Sequence, residues 1–431
     1  MERTGKVMTA SSTAQAFDLI GFCLAPLTED RRGWLETAAK KVSDWEEPVR
    51  LACNCYIGQL VFARLRSAGL LDLVPPEVRD RLQVLYLQTA ALNALRLRQM
   101  LELSSRLSAR GVRTLYLKGT SLIIAGDYPD PAQRMFADVD VLVAEAHRAA
   151  VRQVFAESGE WHELPPYSAG DTYQTVWLNR WRTLIEVHWR MGTVNEVPNR
   201  VAEERLWSRA VEVNYRGHRA WIPSPEDRFI QAAVHGTAWH PFNSSFLYMA
   251  FADLAHLAGK PEQPLDWAWI GRALERERIL EHAAVATELG WEFTRFPSLA
   301  EGLRVFRTQA PGMQKITEPL IWPLSRMVRK PWAFSSWSLN RFLTDQRPCG
   351  WARILGRTVY YKLFPGARKV ITFPEEIVEI RTVLIIKPYR RYRRLLLEWD
   401  FLWYVVQLSR FYRRIRYAGM NRTEREDGNQ D

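Results

Sequence analysis

Two aspartates separated by a single residue, Asp138 and Asp140, open a short apolar run that continues to Val143. Side chains two positions apart on a β-strand point to the same face, so this spacing places two carboxylates side by side. Carboxylates this close resist ionising together, and a cation between them relieves the repulsion. Magnesium takes one or two protein carboxylates and completes its shell with substrate phosphates, so the pair indicates a magnesium site.

A third carboxylate, Glu186, is the only acid in a second apolar run from Thr183 to Trp189, which predicts a buried strand. Burying an unpaired charge is costly, and this argues against a simple solvated role for Glu186. Two aspartates on one strand and a third acid on a nearby strand form the ligand set of a two-metal phosphoryl-transfer site. An ion pair of Glu186 with Arg182 or Arg190 is the structural alternative.

The segment Lys118, Gly119, Thr120 and Ser121 lies between an apolar run and a helical pattern. A turn just before a helix offers backbone N–H groups, here with two hydroxyls, to phosphate oxygens. Lys118 ends the predicted strand, and its ammonium either points into the site or simply precedes the turn. These four residues are therefore predicted to bind a nucleotide.

Arg134 lies four residues before Asp138, on a loop rich in proline and aspartate. A guanidinium can hold two phosphate oxygens at once, so Arg134 is a further candidate for nucleotide binding. An ion pair with Asp127 or Asp130 is the equal alternative.

His188 lies two residues beyond Glu186, so the two side chains share a strand face. His188 is predicted either to line the site or to be a buried core histidine. His235 and His240 are five residues apart, a poor spacing for two metal ligands on one helix. Together with His188 and Asp253, they are candidates for an acceptor pocket.

The order of strand, Lys-Gly, helix, Arg, Asp-x-Asp and a later acid two residues before His-Trp resembles the uncharacterised nucleotidyltransferase family. That family is part of the DNA polymerase beta-like nucleotidyltransferase superfamily. The resemblance covers roughly residues 30 to 300. It implies that Asp138, Asp140 and Glu186 bind two magnesium ions and that Gly119 and Thr120 bind the triphosphate. Thr120 and Glu186 depart from the superfamily pattern, in which Gly or Ser and Asp are commoner.

The basic charge of the chain is concentrated near its C-terminal end. The segment from Pro323 to Asp431 holds 22 of the 59 Lys and Arg residues but only 10 of the 48 Asp and Glu residues. The first 322 residues therefore hold 37 basic and 38 acidic residues and are close to neutral. Arginine alternates with aromatic residues from Pro388 to Tyr417. This tail is predicted either to meet an anionic partner, such as nucleic acid or a lipid surface, or to pack on the main body with a solvated basic face.

Three absences from the sequence favour a cytoplasmic protein. The four cysteines have no metal-ligand spacing, which favours a reducing compartment. The first residues, MERTGKVMTASSTAQAF, lack the apolar core of a signal peptide. No apolar run reaches the roughly 20 residues of a membrane-spanning helix.

The periodicity of apolar residues predicts an α+β fold, in which a small mixed-sheet nucleotidyltransferase domain is flanked by mainly helical regions. The predicted domains are an N-terminal helical region (1–110), a catalytic α/β domain (111–223), a helical substrate-binding domain (224–305) and a basic Trp/Arg-rich helical region (306–431). The predicted strands span 112–118, 138–143, 161–164, 173–178, 183–189, 211–215 and 218–222.

These features predict an enzyme that moves a nucleoside monophosphate from a nucleoside triphosphate to an acceptor, with release of pyrophosphate. The acceptor would be a small molecule, a peptide or RNA. Kinase-like transfer of the γ-phosphate at the same site is one alternative. A catalytically silent module that binds nucleic acid or membrane through the basic tail is another. The acceptor, the base of the nucleotide and the oligomeric state stay open, because they depend on loops outside the carboxylate pattern.

Overall fold

The computed structural model describes residues 10–165, 173–191, 200–239 and 244–328, the short segments 370–372 and 377–379, and Gln407. The chain divides into two compact units. The first comprises Met1–Trp239 and Ser245–Ala310, and the second comprises His240–Ser244 and Pro311–Asp431. The three predicted regions before residue 306 lie within the first unit except for His240–Ser244, which falls in the second, and the boundaries among the regions stay predictions.

The first part of the chain is helical, as the spacing of its apolar residues predicts. The longest helix begins at Pro76, because the fixed φ of proline suits the first turn of a helix. The chain turns after this helix at Gly111, whose φ of 72° favours glycine. The helices are α1 (Ala10–Leu24), α2 (Glu29–Lys41), α3 (Glu46–Asn54), α4 (Gly58–Ala68) and α5 (Pro76–Ser108).

A mixed sheet of seven strands follows, which confirms the predicted α+β class. The strands are β1 (Leu115–Tyr116), β2 (Asp138–Leu142), β3 (Trp161–Leu164), β4 (Gln174–Asn179), β5 (Leu184–His188), β6 (Val211–Tyr215) and β7 (His218–Ile222). Their spatial order is β3-β4-β5-β2-β1-β7-β6. The connecting helices are α6 (Lys118–Ile124), α7 (Arg148–Ser158) and α8 (Arg200–Ser208). The first strand is shorter than predicted, because α6 already begins at Lys118.

The two faces of the sheet differ in chemistry because side chains alternate along each strand. Val139 and Val141 of β2 and Ile185 and Val187 of β5 are buried in one apolar core. Helices α5 and α7 contribute to this core, for example through Phe155. The intervening residues of β2 and β5 therefore face the opposite side, and these include the three predicted carboxylates.

Further helices follow the sheet: α9 (Pro225–Val234), α10 (Ser244–Ala258), α11 (Trp267–Arg276), α12 (Leu280–Thr294) and α13 (Pro297–Gln309). A π-helical turn, His235–Trp239, extends α9. The α9 helix begins at Pro225, and the Ser224 side chain caps it by accepting a hydrogen bond from the backbone N–H of Asp227.

In the second unit, the structure describes α14 (Gln314–Val328) and a hairpin of β8 (Val370–Thr372) and β9 (Ile377–Glu379). The predicted basic segment 388–417 lies outside the described residues, apart from Gln407. Its anionic partner therefore stays a prediction. Among the described helices, none has both the length and the apolar character needed to cross a bilayer.

The N-terminal helices pack directly on the helices that follow the sheet. Arg31 of α2 donates a hydrogen bond of 2.6 Å to the backbone carbonyl of Thr294, at the end of α12. Gly21 of α1 lies so close to α12 that an added Cβ would be 2.2 Å from the carbonyl oxygen of Phe293. No side chain fits between the two helices at this point, so glycine is needed at position 21.

We expect Gly21→Ala to lower the free energy of unfolding by about 1 to 3 kcal/mol, because the methyl group would push α1 away from the backbone of α12. Gly33→Ala is the matched control, since Gly33 is also helical and has no atom within 4 Å of an added Cβ. That control should raise stability by about 0.5 to 1 kcal/mol. Urea unfolding of the two variants measures both values, and equal effects would contradict the close packing of α1 on α12.

Candidate active site

The central strands β2 and β5 run parallel and align the predicted carboxylates. Asp140 is the register partner of Glu186, and Leu142 is the partner of His188. Asp138, two residues before Asp140, points to the same face. A single face at the middle of the sheet therefore presents Asp138, Asp140, Glu186 and His188.

Three of these side chains form a close group. The Nε2 atom of His188 lies 2.8 Å from Oδ1 of Asp140 and 3.8 Å from Oε2 of Glu186. One donor atom from each of Asp140, Glu186 and His188 lies within 4.8 Å of the others. Asp140 is buried, whereas Glu186 and His188 are half-buried. The group thus combines two carboxylates and an imidazole in an arrangement able to hold a metal ion.

The two aspartates have opposite electrostatic environments. Burial and the negative charges of Asp140 and Glu186 raise the pKa of the Asp138 carboxyl to about 7. Burial also acts to raise the pKa of Asp140, but Lys118 and His188 overcome this effect and hold that pKa well below its usual range. Asp140 is therefore ionised at neutral pH. Asp138 is not one of the three residues whose donor atoms form the close group.

Lys118 supplies a positive charge within this face. Its Nζ atom lies 2.6 Å from Oδ1 of Asp140, the same oxygen that His188 contacts. Burial would lower the pKa of Lys118, but the charges of Asp140, Glu186 and Asp138 raise it above its usual value. Lys118 is thus held protonated against the carboxylates.

The backbone at Lys118 is also unusual. Lys118 is the first residue of α6 and not, as predicted, the last residue of a strand. Its φ of 48° falls in the left-handed region, which costs a residue with a Cβ atom roughly 1 to 2 kcal/mol. Its N–H donates to Oε1 of Gln231 on α9 at 3.2 Å. This left-handed conformation at the start of α6 places the Lys118 side chain beside Asp140.

Gly119, Thr120 and Ser121 form the first turn of α6. The Ser121 hydroxyl donates to the backbone oxygen of Lys118 at 2.8 Å, so in this structure it is engaged within the helix. The side chain of Thr120 is buried. An added Cβ at Gly119 would lie 3.1 Å from Cβ of Phe136 and 3.7 Å from Cζ of Arg134, so the chain passes closely here. Helix geometry leaves the N–H groups of Gly119 and Thr120 without acceptors inside the helix.

Arg134 and Asp253 bind each other, a pairing that the sequence did not predict. Nε and Nη2 of Arg134 lie 2.7 and 2.9 Å from the two carboxylate oxygens of Asp253, and both side chains are buried. The hydroxyl of Tyr128 donates to the same carboxylate at 2.7 Å. In this structure both side chains are therefore engaged with each other, and nucleotide binding by Arg134 and acceptor binding by Asp253 stay predictions. The alternative partners of Arg134, Asp127 and Asp130, are also not used.

The structure describes His235 but not His240, and it gives His235 a different neighbour from those of His188. The ring of His235 packs edge-on against Phe246 at 5.2 Å between centroids, and His240 lies outside the described residues. His256, on the same helix as Phe246, uses Nε2 toward Arg64 at 3.0 Å and Nδ1 toward a backbone carbonyl at 3.1 Å. Burial and the charge of Arg64 lower the pKa of His256 to about 3. This neutral, doubly bonded histidine is structural.

Sequence reasoning assigned His188 to an acceptor pocket and missed its contact with Asp140. The available signal was the two-residue spacing from Glu186, which places both side chains on one face of β5. The alignment of β5 beside β2, which brings His188 to Asp140, is a property of the folded sheet.

The family model for uncharacterised nucleotidyltransferases matches residues 41–292, and the chain belongs to that family. The resemblance seen in the sequence is thereby confirmed. A solved structure with similarity to this chain is an antigenic nucleotidyltransferase-like protein from Paracoccidioides brasiliensis. The two are 14% identical with a TM-score of 0.30, and the similarity covers 51% of this chain and 92% of that chain. No protein of curated function matches the sequence.

Replacing Lys118 should make the stability of the fold depend on divalent cations. Lys118→Met leaves the buried Asp140 without its cation, and loss of one partner of a buried ion pair costs about 3 to 5 kcal/mol. We expect magnesium or manganese to raise the melting temperature of this variant more than that of the wild type, because a divalent ion would restore the missing charge.

The matched control for Lys118 is Lys260→Met. Lys260 lies 2.7 Å from Asp127, which is also buried, and neither residue of this pair is on β2 or β5. Asp127 keeps its two hydrogen bonds from Arg228, so the control should lose less stability and gain no response to divalent ions. An equal response in the two variants would show that Lys118 does not occupy a cation site.

The role of Arg134 can be tested without any nucleotide. We expect Arg134→Met to lower the free energy of unfolding by about 3 to 5 kcal/mol, because Asp253 would stay buried and unpaired. Adding Asp253→Asn should recover most of this loss, since the amide is neutral and retains an oxygen acceptor for Tyr128. Urea unfolding measures both variants. An arginine that served only to bind phosphate would leave the stability of the free protein unchanged.

Proposed function

We propose that this protein transfers a nucleoside monophosphate from a nucleoside triphosphate to an acceptor, with pyrophosphate as the leaving group. The observation that supports the proposal is the parallel register of β2 and β5, which puts Asp138, Asp140 and Glu186 on one face. A face with three carboxylates is what a two-metal phosphoryl-transfer site needs. Membership of a nucleotidyltransferase family agrees with this chemistry.

The residues on this face fit divalent cations. Carboxylate oxygens are the ligands that magnesium prefers, and the donor atoms of Asp140 and Glu186 lie within 4.8 Å of each other. Asp138, Asp140 and Glu186 would hold the two magnesium ions. When bound, the ions would neutralise the triphosphate and favour ionisation of the acceptor hydroxyl.

The protein contributes its own groups for binding the triphosphate. The ammonium of Lys118 is already held beside the carboxylates, where a phosphate next to a metal ion would come within its reach. The N–H groups of Gly119 and Thr120 lie in the first turn of α6 and are candidate donors to phosphate oxygens. Because these donors are fixed by the fold before substrate arrives, they stabilise developing negative charge without reorganisation.

The proposal predicts magnesium-dependent binding of a nucleoside triphosphate. We expect one or more of the four nucleotides to raise the melting temperature, by an amount equivalent to about 2.7 kcal/mol at a hundredfold excess over its Kd. The variant Asp138→Asn/Asp140→Asn should lose this response. Glu163→Gln, which changes an exposed acid on β3, is the control and should retain it. Absence of a shift with all four nucleotides would refute the proposal.

Transfer itself is tested with nucleotides labelled at the α- or γ-phosphate, incubated with the wild-type protein and a cell extract as the source of acceptor. Incorporation of the α-label with release of pyrophosphate is the expected result. Incorporation of the γ-label would instead show a kinase, since the carboxylate geometry alone does not determine which phosphorus is attacked. The double variant serves as the background.

A further inference from the structure

His188 has a position that a purely structural histidine would not require. It lies at the end of β5, two residues after Glu186 and on the same face. Its Nε2 atom has the oxygen of Asp140 at 2.8 Å and that of Glu186 at 3.8 Å. A hydrogen bond to Asp140 alone would satisfy the Nε2 atom. The nearby carboxylate of Glu186 is not needed for that bond, so its position calls for another explanation.

The separations of the three donor atoms suit a shared ion. Two ligands that each bond to a divalent ion at about 2.0 to 2.2 Å lie about 3 to 4 Å apart at the usual angles. The His188 nitrogen lies 2.8 Å and 3.8 Å from the oxygens of Asp140 and Glu186, and all three atoms lie within 4.8 Å of one another. Small side-chain adjustments would therefore bring the three donors onto a single centre.

The contact of Lys118 with Asp140 is separate evidence that positive charge is stabilised beside this carboxylate. Its ammonium contacts Oδ1 of Asp140 at 2.6 Å, the oxygen that His188 also contacts. A metal ion on this oxygen would replace both contacts, and the lysine would be released toward the phosphates of a bound nucleotide.

We propose that His188 is a metal ligand and that Asp140, Glu186 and His188 form a site for a divalent transition-metal ion, such as Mn²⁺, in preference to Mg²⁺. The inference deepens the proposed function and rests on it, because it concerns one of the two ions of that site. Carboxylates and water suit magnesium and manganese alike, whereas an imidazole nitrogen favours transition metals. The histidine thus biases the site away from magnesium.

The test uses the full chain, stripped of metal, with Mn²⁺ alone as the probe. Pulsed electron paramagnetic resonance detects magnetic coupling between Mn²⁺ and a directly bonded nitrogen. We expect a nitrogen coupling in the wild type that changes when histidine is labelled with ¹⁵N. The same protein should bind Mn²⁺ more tightly than Mg²⁺ in a competition titration.

The variant His188→Gln should lose the nitrogen coupling and bind Mn²⁺ about 10-fold more weakly or worse, while its affinity for Mg²⁺ changes little. His162→Gln, on the exposed surface of β3, is the matched control and should behave like the wild type. If the variant does not fold, the ¹⁵N experiment on the wild-type protein decides the question without it.

Two results would overturn the inference. One is Mn²⁺ bound without a nitrogen coupling, which would mean that carboxylates alone hold the ion. The other is no preference for Mn²⁺ over Mg²⁺. Both results are compatible with magnesium-dependent nucleotide binding in the melting experiment, so failure of this inference is distinguishable from failure of the proposed function.

Discussion

The arrangement of this protein depends on the repulsion among three carboxylates that share one face of the sheet. Asp138, Asp140 and Glu186 lie on adjacent strands, and positive charge nearby stabilises such a group in its ionised form. Lys118 provides that charge, through a contact of 2.6 Å with Asp140. The fold accepts a left-handed φ at Lys118, which fits the general finding that backbone strain gathers at functional sites.

The same strands that present the carboxylates also form the apolar core, and this dual role makes the site rigid. Val139, Val141, Ile185 and Val187 are all at most 5% exposed and anchor β2 and β5 on the opposite face. A shift of one residue in either strand would bury the acids in the core and expose the valines. The register that satisfies the hydrophobic effect is therefore the register that builds the site.

Buried ion pairs fix the helices that surround this face. Arg134 binds Asp253 on α10, and Arg228 of α9 binds Asp127 through two hydrogen bonds of 2.8 and 3.1 Å. Each pair joins the loop between α6 and β2 to the helices after the sheet. Because Gly119 packs against the guanidinium of Arg134, the first turn of α6 depends on this framework. Arg134 thus supports the backbone of this turn in the described structure.

Local patterns in the sequence determined the positions of the strands, the shared face of Asp138 and Asp140 on one strand, the shared face of Glu186 and His188 on another, and the family to which the chain belongs. The predicted bounds of β3, β6 and β7 agree with the structure residue for residue, because alternation of apolar side chains with a period of two is a local property. The start of α9 is local in the same way, since its cap involves only Ser224 and the nearby Asp227.

Only the tertiary structure decided how charges pair across the chain. The partner of Arg134 lies 119 residues away, and the contact between His188 and Asp140 spans 48 residues. The sequence permitted several partners for each of these side chains, and the choice depends on which strands become neighbours and which helices cover them. Lys118 was predicted to end a strand, but in the structure it begins a helix. This difference also has a tertiary cause, because the backbone N–H of Lys118 donates to the side chain of Gln231 on α9.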